Sequence, residues 1–247
     1  NYTIPLEANG ESWAIAAMDL NTQNYSTIHA EQPMKSASVI KAFIMAAVFD
    51  KLVYSNEGST VSADYDNTLK SLLNSMITVS DNDAANELVR RLGGGDFQTG
   101  AAVLNTFCQE RNYTSTHLGR EFLAAAPTDD NYTSASDCCR LLYEIYTGTL
   151  VNADASADML ALLQAQTRTS KIPAGVPSNV TTANKTGELS DPGNLGVVEN
   201  DISIIFAKDH PYVLCVLSNN IQNNSSAQET ISKISADVYK YMTTQQP

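Results

Sequence analysis

Hydrophobic positions along the chain change their spacing twice, from alternation to a helical period and back. An apolar run at 12–19 and a shorter run at 25–30 predict the two strands of a hairpin. Helical spacing follows, and it predicts helices at 38–52, 68–78, 83–92, 100–111, 134–147 and 155–166. Strand patterns return at 179–185, 200–207 and 212–218, before a last helix at 226–242. The pattern therefore indicates an α+β protein.

Strands at both ends of the chain, with helices between them, indicate an antiparallel sheet closed by both termini. We expect one lobe from residues 1–35 and 170–247, which contains the sheet, and an all-helical lobe from residues 36–169, inserted between these two parts. The segment 118–133 has no periodicity and contains Pro127, so it is predicted to be a long surface loop. The expected active site is the cleft between the lobes.

Composition and charge limit the classes of function. The chain has 247 residues, of which 43% are hydrophobic and 17% charged, and this is typical of a globular protein. A formal net charge of −12 disfavours nucleic acids and anionic membranes as partners. No apolar run is long enough to span a membrane. Because the chain begins at Asn1 without Met, we interpret it as a mature product and expect a secreted, periplasmic or cell-surface location.

Cysteine and histidine positions do not favour a metal site. Cys215 lies in an apolar run and is predicted to be a core thiol. A disulfide between Cys108 and either Cys138 or Cys139 is an alternative to free thiols. The three histidines are isolated and no familiar ligand spacing occurs. We therefore expect neither a metal nor a cofactor.

Three short motifs carry candidate chemistry. Ser38-Val39-Ile40-Lys41 places a hydroxyl and an amine on one face at a predicted helix start, so the amine can reach the hydroxyl. Ser80-Asp81-Asn82 lies at a predicted turn between helices, and Lys185-Thr186-Gly187 ends a predicted strand. Each motif alone also fits a helix cap, a turn or a strand end. Their occurrence together, in this order, favours a catalytic site.

The ordered motifs resemble the signature of class A β-lactamases and penicillin-binding proteins. The resemblance covers about 13–241 and includes the segments 35–43, 76–86 and 200–205. It implies a β-lactamase/transpeptidase-like fold, in which helices flank an antiparallel sheet (α/β/α) and an all-helical lobe is inserted. It also implies a monomer that acts on a small-molecule β-lactam or a peptide derived from peptidoglycan.

The resemblance implies a catalytic role for three residues. Ser38 would be the acylated nucleophile, and Lys41 would accept its proton. Ser80 would pass a proton to the leaving nitrogen.

Substrate binding is implied for the remaining motif residues. Asn82 would contact the substrate amide, while Lys185 and Thr186, followed by Gly187, would hold the substrate carboxylate. The backbone N–H groups of the nucleophile and of Glu188 would form the oxyanion hole.

The chain departs from the class A pattern in two places. The Glu-x-x-Leu-Asn motif, whose glutamate positions the deacylating water, does not occur in 118–131. Glu121 is the candidate replacement, and a solvated loop acid is the alternative. Arg120 and Asp130 are expected to pair and to fix the loop ends. The strand after Lys-Thr-Gly has no arginine for a substrate carboxylate. Its Glu199 is expected to be a solvated acid at the strand end, and an interaction with a cationic group is the alternative.

Three functions are compatible with these features. The first is a serine β-lactamase, which acylates Ser38 with a β-lactam and then hydrolyses the acyl-enzyme. The second is a D-alanyl-D-alanine peptidase or another penicillin-binding activity with slow deacylation. The third is a penicillin-sensing domain, in which the stable acyl-enzyme is the signal. The missing glutamate motif favours the last two, whereas a compact chain without a membrane segment favours the first.

Overall fold

The computed structural model describes residues 2–54, 65–124, 129–190 and 197–244, so part of the predicted loop at 118–133 lies outside the described residues. The helices are α1 (Ile4–Glu7), α2 (Lys41–Val48), α3 (Lys70–Thr78), α4 (Asn82–Leu92), α5 (Phe97–Glu110), α6 (Ala135–Thr147), α7 (Ala153–Gln164) and α8 (Asn224–Thr244). The strands are β1 (Ser12–Asp19), β2 (Tyr25–Ile28), β3 (Met34–Lys35), β4 (Tyr132–Thr133), β5 (Thr182–Leu189), β6 (Val198–Ile205) and β7 (Tyr212–Asn219). Short 3₁₀ helices cover Ala37–Ile40 and Pro173–Gly175, and π-helical turns cover Phe49–Val53 and Tyr65–Leu69.

Five strands form one antiparallel sheet in the order β2-β1-β7-β6-β5, and β3 pairs with β4 in a separate ribbon. The first long strand and the last therefore lie side by side, with Ser12 opposite Asn219 and Asp19 opposite Tyr212. This arrangement confirms the antiparallel sheet closed by elements from both ends of the chain.

Successive side chains of β1 are buried on opposite faces of the sheet. Ala14 and Ala16 belong to the larger core, which includes Phe43 of α2. Trp13 points the other way, into a second core that includes Ile231 of α8. Because successive strand side chains face opposite sides, one strand packs against helices on both of its faces. The sheet thus lies between helical layers, as the predicted α/β/α arrangement requires.

Helix α2 lies inside the protein rather than on its surface. All eight of its residues are buried, including Lys41 at its first position. The sequence explains this, since the seven residues after Lys41 are all apolar and leave no polar face for solvent. Burial of α2 therefore brings an amine into the protein interior.

Strand β5 extends further than the sequence pattern predicts. The predicted strand at 179–185 ends at the lysine of Lys185-Thr186-Gly187, whereas β5 continues to Leu189 and pairs with β6 over its whole length. Glycine and glutamate are poor strand formers, which is why the pattern ended early. The Lys-Thr-Gly motif is consequently held inside a hydrogen-bonded ladder.

The four cysteines are buried free thiols, so the disulfide alternative is wrong and the core position of Cys215 is confirmed. Among the described residues, no helix combines the length and the apolar character that a membrane crossing requires. The proposed division at 36–169 stays a prediction.

Candidate active site

Ser38 lies in the 3₁₀ helix that leads directly into α2. Its carbonyl accepts the backbone N–H of Lys41, so the two residues are one turn apart. The preceding residue, Ala37, has a φ of 46°, which alanine rarely adopts. Backbone strain of this kind persists where the surroundings over-determine a conformation, and active sites are common examples. The side chain of Ser38 is partly exposed and lines a cavity of about 280 Å³.

The turn between α3 and α4 presents Ser80 to Lys41. The Nζ of Lys41 donates to the backbone oxygen of Ser80 and to Oδ1 of Asn82, both at 2.7 Å, and lies 3.4 Å from the Ser80 Oγ. Ser80 has a φ of 63°, and Asp81 caps α4 by accepting the N–H of Ala84 at 2.8 Å. The tight turn and the cap therefore fix the Ser-Asp-Asn motif against the lysine.

Lys185 reaches the same hydroxyl from the sheet. It is fully buried, and its Nζ donates to the Ser80 Oγ at 3.0 Å and to the backbone oxygen of Thr186 at 2.9 Å. The hydroxyl of Ser80 therefore lies between two buried amines, one from α2 and one from β5. Thr186, the next motif residue, is also buried.

Both amines lose protons more easily than lysine in water. Burial lowers the pKa of Lys41 to about 7, with a further lowering by Arg168, although Asp81 acts in the opposite direction. Burial and the positive charge of Lys41 lower the pKa of Lys185 well below its usual value. A substantial fraction of Lys41 is thus neutral near pH 7.

Neutral Lys41 is arranged to accept a proton. A neutral amine has two N–H donors and one lone pair. Two carbonyl oxygens, on Ser80 and Asn82, occupy the donors at 2.7 Å. The lone pair then remains for a hydroxyl, which is what a general base needs.

Gly187 lies in close contact with the nucleophile segment. A Cβ at this position would lie 2.7 Å from the Ser36 oxygen, closer than real Cβ atoms come, and 3.1 Å from the Ser38 nitrogen, which is tighter than most such contacts. Only glycine permits this approach of two backbones. The close approach brings the N–H of Ser38 next to the part of β5 that carries the N–H of Glu188. These two N–H groups are expected to form the oxyanion hole.

The loop that borders the cavity is fixed as predicted. Arg120 Nε donates to Oδ1 of Asp130 at 2.8 Å, and both side chains are at most 10% exposed. Asn131 Oδ1 accepts the N–H groups of Gly119 and Arg120, each at 3.0 Å. The expected pairing of Arg120 with Asp130 is thereby confirmed.

The structure does not bring Glu121 into the cluster around Ser38. Its carboxylate pairs with Arg90 at 2.8 Å and is 38% exposed. The next residue, Phe122, approaches the site instead, with its ring centroid 4.6 Å from the Lys41 Nζ. The catalytic role of Glu121 stays a prediction.

Sequence reasoning missed the residue that holds Phe122 in place. The side chain of Asn86 accepts the N–H of Phe122 at 2.9 Å and donates to its oxygen at 3.2 Å. Asn86 lies one helical turn after Asn82, on the same face of α4, and this spacing was the available signal. Glu199 was also misjudged, because it is buried rather than solvated.

A serine hydroxyl on a cavity wall, next to two buried amines that share a second hydroxyl, is typical of serine acyl-transfer enzymes. The chain belongs to the beta-lactamase enzyme family, whose model matches residues 3–242. The β-lactamase-like fold and the serine hydrolase activity expected from the sequence are thereby confirmed.

Individual relatives agree with this family. The chain is 25% identical over 239 residues to "Beta-lactamase 3" of Bacillus cereus, a match that covers 88% of this chain and 72% of the relative. A β-lactamase from Sphaerobacter thermophilus has a similar structure, with a TM-score of 0.81, 20% identity and coverage of 100% and 97%. PBP-A is also similar, with a TM-score of 0.78, 23% identity and coverage of 95% and 91%. The structural similarities show the shared fold.

Proposed function

We propose that the chain hydrolyses β-lactams through an acyl-enzyme on Ser38. One observation carries the assignment of roles, namely that the Ser80 hydroxyl lies between the amines of Lys41 and Lys185, and that Lys41 follows, one turn later, the Ser38 that lines the cavity. A site with this geometry can both activate an alcohol and protonate a leaving nitrogen.

Acylation begins at the Ser38 Oγ. Lys41 takes its proton while the oxygen attacks the lactam carbonyl, and a tetrahedral oxyanion forms between the N–H groups of Ser38 and Glu188. The carbon–nitrogen bond then breaks. The ring nitrogen receives a proton from the Ser80 Oγ, which is replenished from Lys41. The products of this half-reaction are an ester on Ser38 and an opened ring.

Substrate orientation is assigned to the remaining motif residues. Lys185 and Thr186 hold the substrate carboxylate, because a buried cation next to a hydroxyl binds an anion strongly. Asn82 contacts the substrate amide through its side chain. The lobes 36–169 and 1–35 with 170–247 would supply opposite walls of the cleft.

Hydrolysis of the ester completes the cycle and is expected to be the slow half. The candidate base expected from the sequence, Glu121, is engaged by Arg90, and the ring of Phe122 lies next to Lys41 instead. An ester in a dry site is cleaved quickly only when water is activated. We therefore expect the acyl-enzyme to accumulate during turnover.

The setting of the reaction is proposed from its substrates. β-Lactams and peptidoglycan peptides are met outside the cytoplasm, so we propose a secreted, periplasmic or cell-surface monomer. Hydrolysis there would protect a cell from β-lactam antibiotics.

A chromogenic cephalosporin tests the proposal. We expect a burst of about one equivalent, since acylation outpaces hydrolysis, followed by sustained turnover. Intact-mass measurement should show one adduct on the wild type and none on Ser38→Ala. The control is Ser115→Ala, which changes a serine outside the described cavity. A burst followed by no turnover would reject hydrolysis, and labelling of S38A would reject the nucleophile.

A further inference from the structure

Two glutamates face each other behind the proposed oxyanion hole. The register of β5 and β6 places Glu188 directly opposite Glu199. Like charges at such positions repel each other. Glu199 is buried, and Glu188 is the residue whose N–H is proposed to stabilise the oxyanion. A negative side chain thus lies on the same residue as the donor for a negative transition state.

Lys171 bridges the two carboxylates. Its Nζ lies 2.8 Å from the Glu188 Oε1 and 2.6 Å from the Glu199 Oε2, and it donates to the Asn200 oxygen at 2.9 Å. The side chain of Lys171 is only 1% exposed. Solvent therefore screens these interactions little, unlike those of a surface ion pair.

The backbone around Lys171 is held firmly. The N–H of Ile172 donates to Asp201 Oδ2 at 2.9 Å, and the oxygen of Ile172 accepts the Ser235 hydroxyl at 2.7 Å. Gly175 packs so closely on α8 that a Cβ there would lie 2.3 Å from the Ser232 oxygen. The ammonium group is therefore presented at a fixed place relative to β5 and β6.

Glu188 is charged under ordinary conditions. Burial raises the pKa of its carboxyl, but Lys171 and Arg168 outweigh this effect and leave the pKa lowered. Arg168 pairs with Glu188 at 2.8 Å but is 50% exposed, so its charge is better screened than that of Lys171. Lys171 is thus the main buried countercharge of this carboxylate.

We propose that Lys171 is a positioning residue for the oxyanion hole. It neutralises the Glu188 carboxylate, so the N–H of the same residue can stabilise negative charge on the substrate oxygen. Electrostatic stabilisation of this kind depends on donors fixed before the charge develops. The inference rests on the proposed function, because it assumes acylation at Ser38.

The test is a double-mutant cycle on acylation of the full chain by a fluorescent penicillin. Lys171→Met should slow acylation about tenfold, because the free carboxylate then opposes the oxyanion. The same change made in an E188Q background should alter the rate less than about threefold, since residue 188 then carries no charge that could oppose the oxyanion. The matched control is Lys233→Met, which removes an exposed lysine that pairs with Glu229 on α8.

A second readout separates the oxyanion role from a structural one. A phenylboronic acid forms a tetrahedral anion on the serine, and its affinity should fall in K171M by the same factor as the acylation rate. If K171M slows acylation equally with and without E188Q, the proposal is wrong. If K171M does not fold, K171M/E199Q takes its place, because the amide that replaces the Glu199 carboxylate needs no cation. The acylation rates of this variant with and without E188Q then decide whether the proposal holds. Absence of labelling in the wild type would instead reject the proposed function.

Discussion

At the residue scale, the site depends on moving two lysines out of water. Lys41 and Lys185 are fully buried, and together they surround one hydroxyl. Burial and the positive charge of Arg168 lower the pKa of Lys41, and burial and the charge of Lys41 lower the pKa of Lys185. The proposed base is therefore created by burial and by a neighbouring charge, without a histidine.

The pH dependence of acylation tests this assignment. Because neutral Lys41 is the proposed base and its pKa is lowered to about 7, the acylation rate should rise with pH through that value and level off above it. Arg168→Met should move the midpoint to higher pH, since Arg168 lowers the pKa of Lys41. Stopped-flow acylation from pH 5.5 to about 9 measures both curves. A flat profile, or a midpoint that moves down in R168M, would contradict the assignment.

The role of Glu121 can be tested by measuring acylation and hydrolysis of the acyl-enzyme separately. If it activates the deacylating water, Glu121→Gln should slow hydrolysis of the acyl-enzyme about tenfold or more while acylation continues. The matched control is Glu87→Gln. Glu87 lies in α4 and, like Glu121, pairs with an arginine, in this case Arg91 at 2.9 Å. Decay of the adduct mass gives the rate. Equal decay in E121Q and the wild type would assign Glu121 to its ion pair with Arg90 alone.

Most residues of the proposed site were predictable because short motifs specify them. Lys41, Ser80 and Lys185 come together as the motifs indicate, and Ser38 lies one turn before Lys41 and lines the cavity. Lys171 was not predictable, since its importance comes from the register of two strands and no local pattern encodes that register. Residues that act through long-range pairing are therefore those that a sequence reading misses.

At the scale of elements, the site is assembled where a strand crosses the start of a helix. β5 passes so close to the 3₁₀ helix Ala37–Ile40 that the strand needs glycine at 187. The continuous apolar run predicted β1 at its observed bounds, since a strand that is buried on both faces has a strong apolar signal. The end of β5 was not predictable, because pairing with β6 overrides the weak propensities of Gly187 and Glu188.

Substitution of Gly187 should damage catalysis more than stability. A Cβ in Gly187→Ala meets backbone atoms at 2.7 and 3.1 Å, so strand and helix must separate. We expect a stability loss of about 1–3 kcal/mol and an acylation loss of at least about tenfold. Urea unfolding and penicillin labelling measure the two effects.

The control for this substitution is Gly94→Ala. Gly94 has a φ of 65° and open space around its Cβ position, at a helix end far from the motifs. It should cost about 1 kcal/mol of stability without slowing acylation. Full acylation activity in G187A would show that the close approach is not needed for the oxyanion hole.

At the scale of the whole molecule, the site is maintained at a cost in stability. Unfolding would return Lys41 to water, where its pKa is 10.5, whereas in the folded protein it is about 7. Between these values the unfolded chain binds more protons than the folded one. The free energy of unfolding should therefore rise with pH between these two pKa values, and it should be lower at a pH below both of them.

This contribution can be measured directly. From pH 7 to 9 the free energy of unfolding of the wild type should rise, relative to Lys41→Met, by up to about 2 kcal/mol. Urea unfolding of the wild type and of K41M at both pH values gives the four free energies of unfolding that the comparison needs. Lys70→Met is the control, because Lys70 is an exposed lysine in α3. Parallel pH curves for the wild type and K41M would show that Lys41 is charged in the folded state.

The central place of β7 in the sheet has a consequence for biosynthesis. A ribosome delivers the segment with Ser38 long before 212–219, so β1 has to wait for its neighbour β7 until all the residues between them have been made. Until then β5 and β6 have no link to β1, and the hydroxyl has no assembled surroundings. A truncated product that stops before residue 212 would therefore carry every motif and still be inert.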